Sequence, residues 1–242
     1  MQFEIDNKKA IANRGNLFRL KQVMRRAEAG EPVKVGFIGG SITMGCLATE
    51  PELCYAYRVY EWWQEKFPKT EVSYINAGIG ATTSQFAAAR VEKDLLDQKP
   101  DVVFVEFSVN DDANEFFMET YESLIRKIYT FDQNTAIIII NCVRYDDGGS
   151  AEVWHAKVAR YYELPQISMQ RSIYPEVAAG RISAEEITAD YLHPNDIGHK
   201  LVAGVIESFL EEVYTEREQK EAEAEEKAPL TEASYQHAVR YR

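Results

Sequence analysis

Four short runs of apolar, mostly β-branched residues recur along the first 142 positions: 33–38 (VKVGFI), 72–76 (VSYIN), 101–107 (DVVFVEF) and 135–142 (TAIIIINC). They are nearly continuous rather than alternating, the pattern of strands covered on both faces, as in a parallel sheet. Helical patterns lie between them. Leu53, Ala56, Tyr60, Trp63 and Phe67 step by three and four residues, an apolar stripe on one helix. Thr83 or Ser84 can cap a second helix running to about 98, and a third spans about 115–131. Near the end Pro194 can open a helix on which Ile197, Leu201, Val205, Phe209 and Val213 repeat at spacing four. Strand and helix alternate often enough to predict a three-layer α/β/α sandwich with a mainly parallel sheet.

In such sheets sites form beyond the carboxyl ends of the strands. That rule selects four loops: 39–45, 77–83, 108–114 and 143–150. The first contains Gly39-Gly40-Ser41. Two glycines let the backbone turn sharply and leave Ser41 exposed, as a nucleophile must be; an ordinary strand-to-helix turn would look the same. Asp190 and His193 stand three residues apart before the last helix, a spacing from which one turn can supply a general base and the acid that holds its tautomer. Asn110, after the third run, can donate to developing negative charge, and the Gly-rich stretch 76–83 can do so through its backbone N–H groups.

Taken together and in this order, these blocks resemble the SGNH (GDSL-like) hydrolase superfamily. Gly39-Gly40-Ser41-Ile42-Thr43 matches the serine block; Ser108-Val109-Asn110-Asp111 matches Gly-x-Asn-Asp with serine in place of glycine; Asp190-x-x-His193 matches the last block. The resemblance covers about 33–213. It implies Ser41 as nucleophile, His193 as base and Asp190 as its partner. It implies an oxyanion hole from Ser41, Asn110 and either Gly80 or Ala81, since an ungapped match puts the glycine block's key position at Ala81. No metal or organic cofactor is implied. The GGSIT form of the serine block and the acidic extension look most like bacterial carbohydrate acetylesterases, and carbohydrate esterase family 17, whose members deacetylate mannans, is similar. The implied activity is removal of O-acetyl groups from an acetylated oligosaccharide, with a lipid esterase or thioesterase as alternatives on the same chemistry. Rivals outside it are a metal-dependent hydrolase using Asp190, His193 and His199, and a non-catalytic sugar-binding protein.

Trp154 can stack on a sugar or belong to the core. Arg144 can face the site or pair with Asp146 or Asp147. His199 reads as structural.

A net charge of −12 is a poor match for nucleic acid or an anionic membrane surface. Much of that charge sits between Glu211 and Lys227, with eight acids and three bases. The expected division is therefore a catalytic domain over 1–213 and an acidic helical extension over 214–242 that can lead toward a further module. Three cysteines with no C-x-x-C pair argue against a disulfide framework or zinc motif. The charged start lacks the apolar run of a signal peptide, and no apolar stretch reaches the ~20 residues that span a bilayer. The expected location is the cytoplasm, and the sequence leaves the oligomeric state open.

Overall fold

A computed structural model describes residue 3 and residues 5–217. Six strands form one sheet. They are β1 (Ile11–Asn13), β2 (Val33–Gly39), β3 (Val72–Gly78), β4 (Val102–Glu106), β5 (Ala136–Asn141) and β6 (Gln166–Ser168). Their order is β1-β6-β5-β4-β2-β3, parallel except that β1 runs antiparallel along β6. The helices are α1 (Phe18–Glu28), α2 (Ser41–Met44), α3 (Tyr55–Lys66), α4 (Ser84–Asp94), α5 (Glu115–Phe131), α6 (Glu152–Tyr161), α7 (Ile173–Ala178), α8 (Ala184–Ile187) and α9 (Asp196–Glu216).

The strand sequences sort into two faces. Val33, Val35, Phe37, Val102, Phe104, Ile138 and Ile140 pack with α1, α3 and α9. Ile38, Val103, Val105, Ile137 and Ile139 pack with α4, α5 and α6. Adjacent strand residues therefore enter opposite cores, which is why the runs read as continuous: in β4 and β5 every residue, on either face, is removed from water, while β3, at the sheet edge, is half-buried at Ser73, Tyr74, Asn76 and Gly78. Phe37 stacks on Phe104 at 4.8 Å across β2 and β4, beneath the point where the chain reverses its direction across the sheet. From β2 it moves outward to β3, then returns to the other side of β2 to place β4. That switch opens a crevice at the carboxyl ends of β2 and its two neighbours.

Several elements differ from the sequence expectation. The helix expected to run to about 98 ends at Asp94 and is followed by a separate 3₁₀ turn, Leu96–Gln98. Its first turn is not capped by the Thr83 side chain; the Ser84 N–H is taken instead by the Asp111 carboxylate at 2.9 Å. The last helix does not begin at Pro194. Asn195 is its cap, its side chain accepting from the N–H groups of Ile197 and Gly198. Of the spacing-four stripe, Val205, Phe209 and Val213 are buried as expected, while Leu201 is half-buried and Ile197 exposed; the buried face is wider and also takes in Gly198, His199, Val202 and Ile206. The boundary at 213 falls inside α9. Past it, Tyr214 packs edge-on to Phe67 at 5.6 Å, Glu216 pairs with Arg14, and the buried Arg217 pairs with Glu28. The rest of the proposed extension, from 218, lies outside the described residues. Among the described residues no helix is long and apolar enough to cross a membrane.

Candidate functional site

Ser41 follows β2 directly and opens the one-turn helix α2. The turn is tight enough that three glycines leave no room for a Cβ. A Cβ at Gly39 would lie 2.0 Å from Thr43 Oγ1, and one at Gly78 would lie 2.4 Å from the Met44 nitrogen. At Gly40 it would lie 2.3 Å from Asn110 Oδ1. The nucleophile turn, the end of β3 and the loop after β4 are thus pressed together at distances only glycine allows. Ser41 itself is only 8% exposed.

The second part of the site is a surface loop between α8 and α9. Thr188 and Pro194 form an isolated antiparallel bridge that closes it. Tyr191 takes a left-handed conformation, φ 62°, which reverses the chain so that Asp190 and His193 face each other. Asp190 Oδ1 accepts the N–H groups of Leu192 and His193 at 3.0 and 2.7 Å and the Thr188 hydroxyl at 3.2 Å. Oδ2 lies 2.6 Å from His193 Nδ1, and His193 Nε2 lies 2.8 Å from Ser41 Oγ. Partial burial, the largest single influence on Asp190, raises its pKa. The hydrogen bonds from the His193 ring, the His193 N–H and the Leu192 N–H together outweigh it and hold the carboxyl at about 2. Asp190 is therefore an ionised acceptor, so His193 Nδ1 carries the proton toward it and Nε2 is left to accept from Ser41.

Two contacts that sequence reasoning missed join the halves. Asp196, in the first turn of α9, accepts the Thr49 N–H at 2.8 Å and its hydroxyl at 2.7 Å. His199 is fully buried; its Nδ1 accepts the Tyr55 N–H at 3.2 Å and its Nε2 donates to the Cys46 carbonyl at 3.1 Å. Burial lowers its pKa, against smaller opposing influences from Cys46 and Asp196. With both ring nitrogens engaged in this way, His199 does not join Asp190 and His193 in a common ligand set.

The oxyanion candidates gather around Ser41. Gly80 lies against it: a Cβ there would sit 3.9 Å from Ser41 Cβ. Ala81 is the next residue, exposed and left-handed at φ 57°. Asn110 is held by its backbone in a tight turn, with the N–H groups of Asn110 and Asp111 both bonded to the Phe107 carbonyl at 3.1 and 2.9 Å. Ser108, in the position where the family pattern has glycine, uses its N–H and hydroxyl on Glu106 Oε1 at 2.9 and 2.8 Å. Burial raises the Glu106 carboxyl to about 7, although the Ser108 bonds oppose it.

The two candidate sugar contacts are placed differently. Arg144 pairs with Asp146 at 2.8 Å and Asp147 at 3.5 Å. Its neighbour Tyr145 donates its N–H to the Tyr191 carbonyl at 2.7 Å, so the 143–150 loop borders the His193 loop. Trp154 is on α6, packed against the second core, with Lys157 Nζ 3.7 Å above its ring.

The chain is similar to several known proteins. The profile of the GDSL-like lipase/acylhydrolase family matches residues 37–201. The chain is 55% identical to a solved two-domain esterase active on acetylated mannans, crystallised with mannopentaose. That match has a TM-score of 0.88 and covers 96% of this chain and 62% of that one. The chain thus spans less than two thirds of that esterase's length. It is 24% identical over 212 residues to an acetylxylan esterase of Geobacillus stearothermophilus, covering 76% of this chain and 95% of that protein. A crystal structure of an acetylxylan esterase from the same organism matches with a TM-score of 0.60 at 22% identity, which speaks to the fold alone. The sheet order, the crevice at its switch point and the matched span agree: the chain belongs to the GDSL-like lipase/acylhydrolase family.

Proposed function

We propose that this protein is a serine esterase that removes O-acetyl groups from a carbohydrate, with acetylated manno-oligosaccharides as the leading substrate. The observation that carries the reading is the unbroken hydrogen-bond line from Asp190 through His193 to Ser41, at 2.6 and 2.8 Å. The 55%-identical esterase's activity on acetylated mannans supports the choice of substrate.

Ser41 Oγ attacks the acetyl carbonyl carbon as its proton passes to His193 Nε2. Asp190 holds the ring and stabilises the imidazolium. The carbonyl oxygen becomes an oxyanion, met by the N–H groups of Ser41 and Gly80 and by the Asn110 side-chain amide. Gly80 is preferred to Ala81 because a Cβ at Gly80 would lie 3.9 Å from Ser41 Cβ. Collapse breaks the ester bond, and the leaving sugar oxygen takes the proton back from His193. Water then attacks the acetyl-enzyme with His193 again as base, releasing acetate and free Ser41. Arg144 is the better placed sugar contact, because its loop borders Tyr191; stacking on Trp154 would first require Lys157 to leave its ring.

The test is acetate release from acetylated manno-oligosaccharides and xylo-oligosaccharides by wild type and Ser41→Ala. The reading expects Ser41-dependent release, faster on the mannan series. Release that persists in Ser41→Ala refutes the serine mechanism; faster release from xylan refutes the substrate.

A further inference from the structure

A second Asp–His contact lies behind the site, and the mechanism above does not use it. Asp111 follows Asn110 directly, and its side chain and that of His155 are both fully buried. Asp111 Oδ1 accepts the Ser84 N–H at 2.9 Å, and Oδ2 lies 3.1 Å from His155 Nε2. Ser84 opens α4 immediately after the loop that carries Gly80. One carboxylate therefore joins both loops assigned to the oxyanion.

The imidazole is fixed in turn. Gln166 Nε2 donates to Asn141 Oδ1 at 2.7 Å, which leaves Asn141 Nδ2 facing His155 Nδ1 at 3.2 Å. Nδ1 then accepts, so Nε2 carries the proton and donates to Asp111. Tyr121 stacks on the ring at 3.7 Å and 9°. Asn110, by contrast, has no such support of its own: its Oδ1 is buried with no hydrogen-bond partner among the described residues. The placement of its amide depends on the backbone turn that Asp111 anchors and on the contact with Gly40.

We propose that Asp111 and His155 are positioning residues for the oxyanion site, aligning Asn110 and Gly80 through one buried carboxylate. This rests on the esterase reading above. Asp111→Asn tests it, because an amide there must set a donor against either the Ser84 N–H or the His155 N–H, and an unpaired buried donor is costly. The measurement is kcat and KM on an aryl acetate for Asp111→Asn in the wild-type and Asn110→Ala backgrounds, with Ser41→Ala alongside. In the wild-type background kcat should fall roughly 10- to 100-fold with KM nearly unchanged, within the loss expected for an oxyanion donor. In the Asn110→Ala background the same change should cost at least about fivefold less, since coupled residues are not additive. Equal losses in both backgrounds, or a loss confined to KM, overturn the proposal while Ser41 dependence keeps the esterase reading intact. Activity surviving Ser41→Ala overturns that reading, and this one with it. Should Asp111→Asn fail to fold, His155→Gln and His155→Leu carry the same cycle, and the glutamine, which can still donate an N–H, should retain more of kcat.

Discussion

The two halves of the site are built by different means. Ser41 stands at the end of a central strand, and its position is set by long-range packing: Gly39, Gly40 and Gly78 each leave space already occupied by atoms from another segment. Asp190 and His193 sit on a surface loop where the Asp190 side chain is 47% exposed. Their geometry is local, set by one carboxylate that collects two N–H groups and a hydroxyl within the stretch 188–193. Packing fixes the nucleophile; side-chain-to-backbone hydrogen bonds fix the base. The first half should fail through added volume, the second through a lost acceptor.

The sharpest break should come from Asp190→Asn. An amide cannot orient the ring and also replace the carboxylate's charge, so kcat/KM should drop about 10³- to 10⁴-fold. The melting temperature should hardly move, because the loop contributes little buried surface. A large drop in melting temperature would show that the loop is part of the core after all.

Gly40→Ala attacks the other half with one methyl group. The added Cβ meets Asn110 Oδ1 at 2.3 Å, so kcat should fall by about 10²-fold, comparable to losing an oxyanion donor, and the melting temperature should fall with it. Wild-type kcat in this variant would mean that Asn110 moves freely and that packing does not set the site.

Glu106→Gln separates the halves by pH. Burial lifts the Glu106 carboxyl from its ordinary 4.5 to about 7. The native state therefore holds a proton that the unfolded chain releases, so this group's contribution to stability falls as pH rises from 4.5 to about 7. The shift corresponds to about 3 kcal/mol at most. Urea unfolding across that range should show the decline in wild type and a flatter profile in Glu106→Gln; identical slopes would contradict it. Asp190, held at about 2, works the other way: its stabilisation is complete above the ordinary carboxylate range and is lost only as pH falls toward 2.

The smallest effect belongs to the exposed one of the two contacts that join the halves, Thr49 with Asp196. Thr49→Val removes the hydroxyl bond to Asp196 but keeps the N–H bond. A net loss of about 0.5–1.5 kcal/mol in stability, with only a few-fold loss of kcat/KM, would fit an exposed latch.

What the sequence disclosed follows the same division. The central strands were legible because both faces are apolar, and α5 was legible to its ends, Glu115–Phe131, because Asn114 caps a strongly amphipathic segment. Ser41, Asn110, Asp190 and His193 were legible as residue types at strand and helix ends, and the structure brings all four segments together. The short strands β1 and β6 were not, since three residues, as in Ile11–Asn13 and Gln166–Ser168, carry no period. The buried face of α9 was legible at Val205, Phe209 and Val213 but not in its first turn, where two members are not apolar-looking: Gly198 is there so that the helix can approach the Ile187 carbonyl, which a Cβ would meet at 2.2 Å, and His199, read only as structural, is a satisfied polar strut. The Asp111–His155 contact spans 44 residues, and no local pattern announces it. The helix α1 was passed over, although Leu20, Val23, Met24 and Ala27 are buried at helical spacing.

The central claim is that Ser41 is the nucleophile activated by His193. Labelling the native protein with an alkyl phosphonate that forms a stable serine adduct, then mapping the modified peptide by mass spectrometry, tests it directly. The account predicts a single adduct on Ser41, formed far more slowly in His193→Ala and absent in Ser41→Ala. An adduct on another residue, or labelling that persists at wild-type rate in Ser41→Ala, would contradict it.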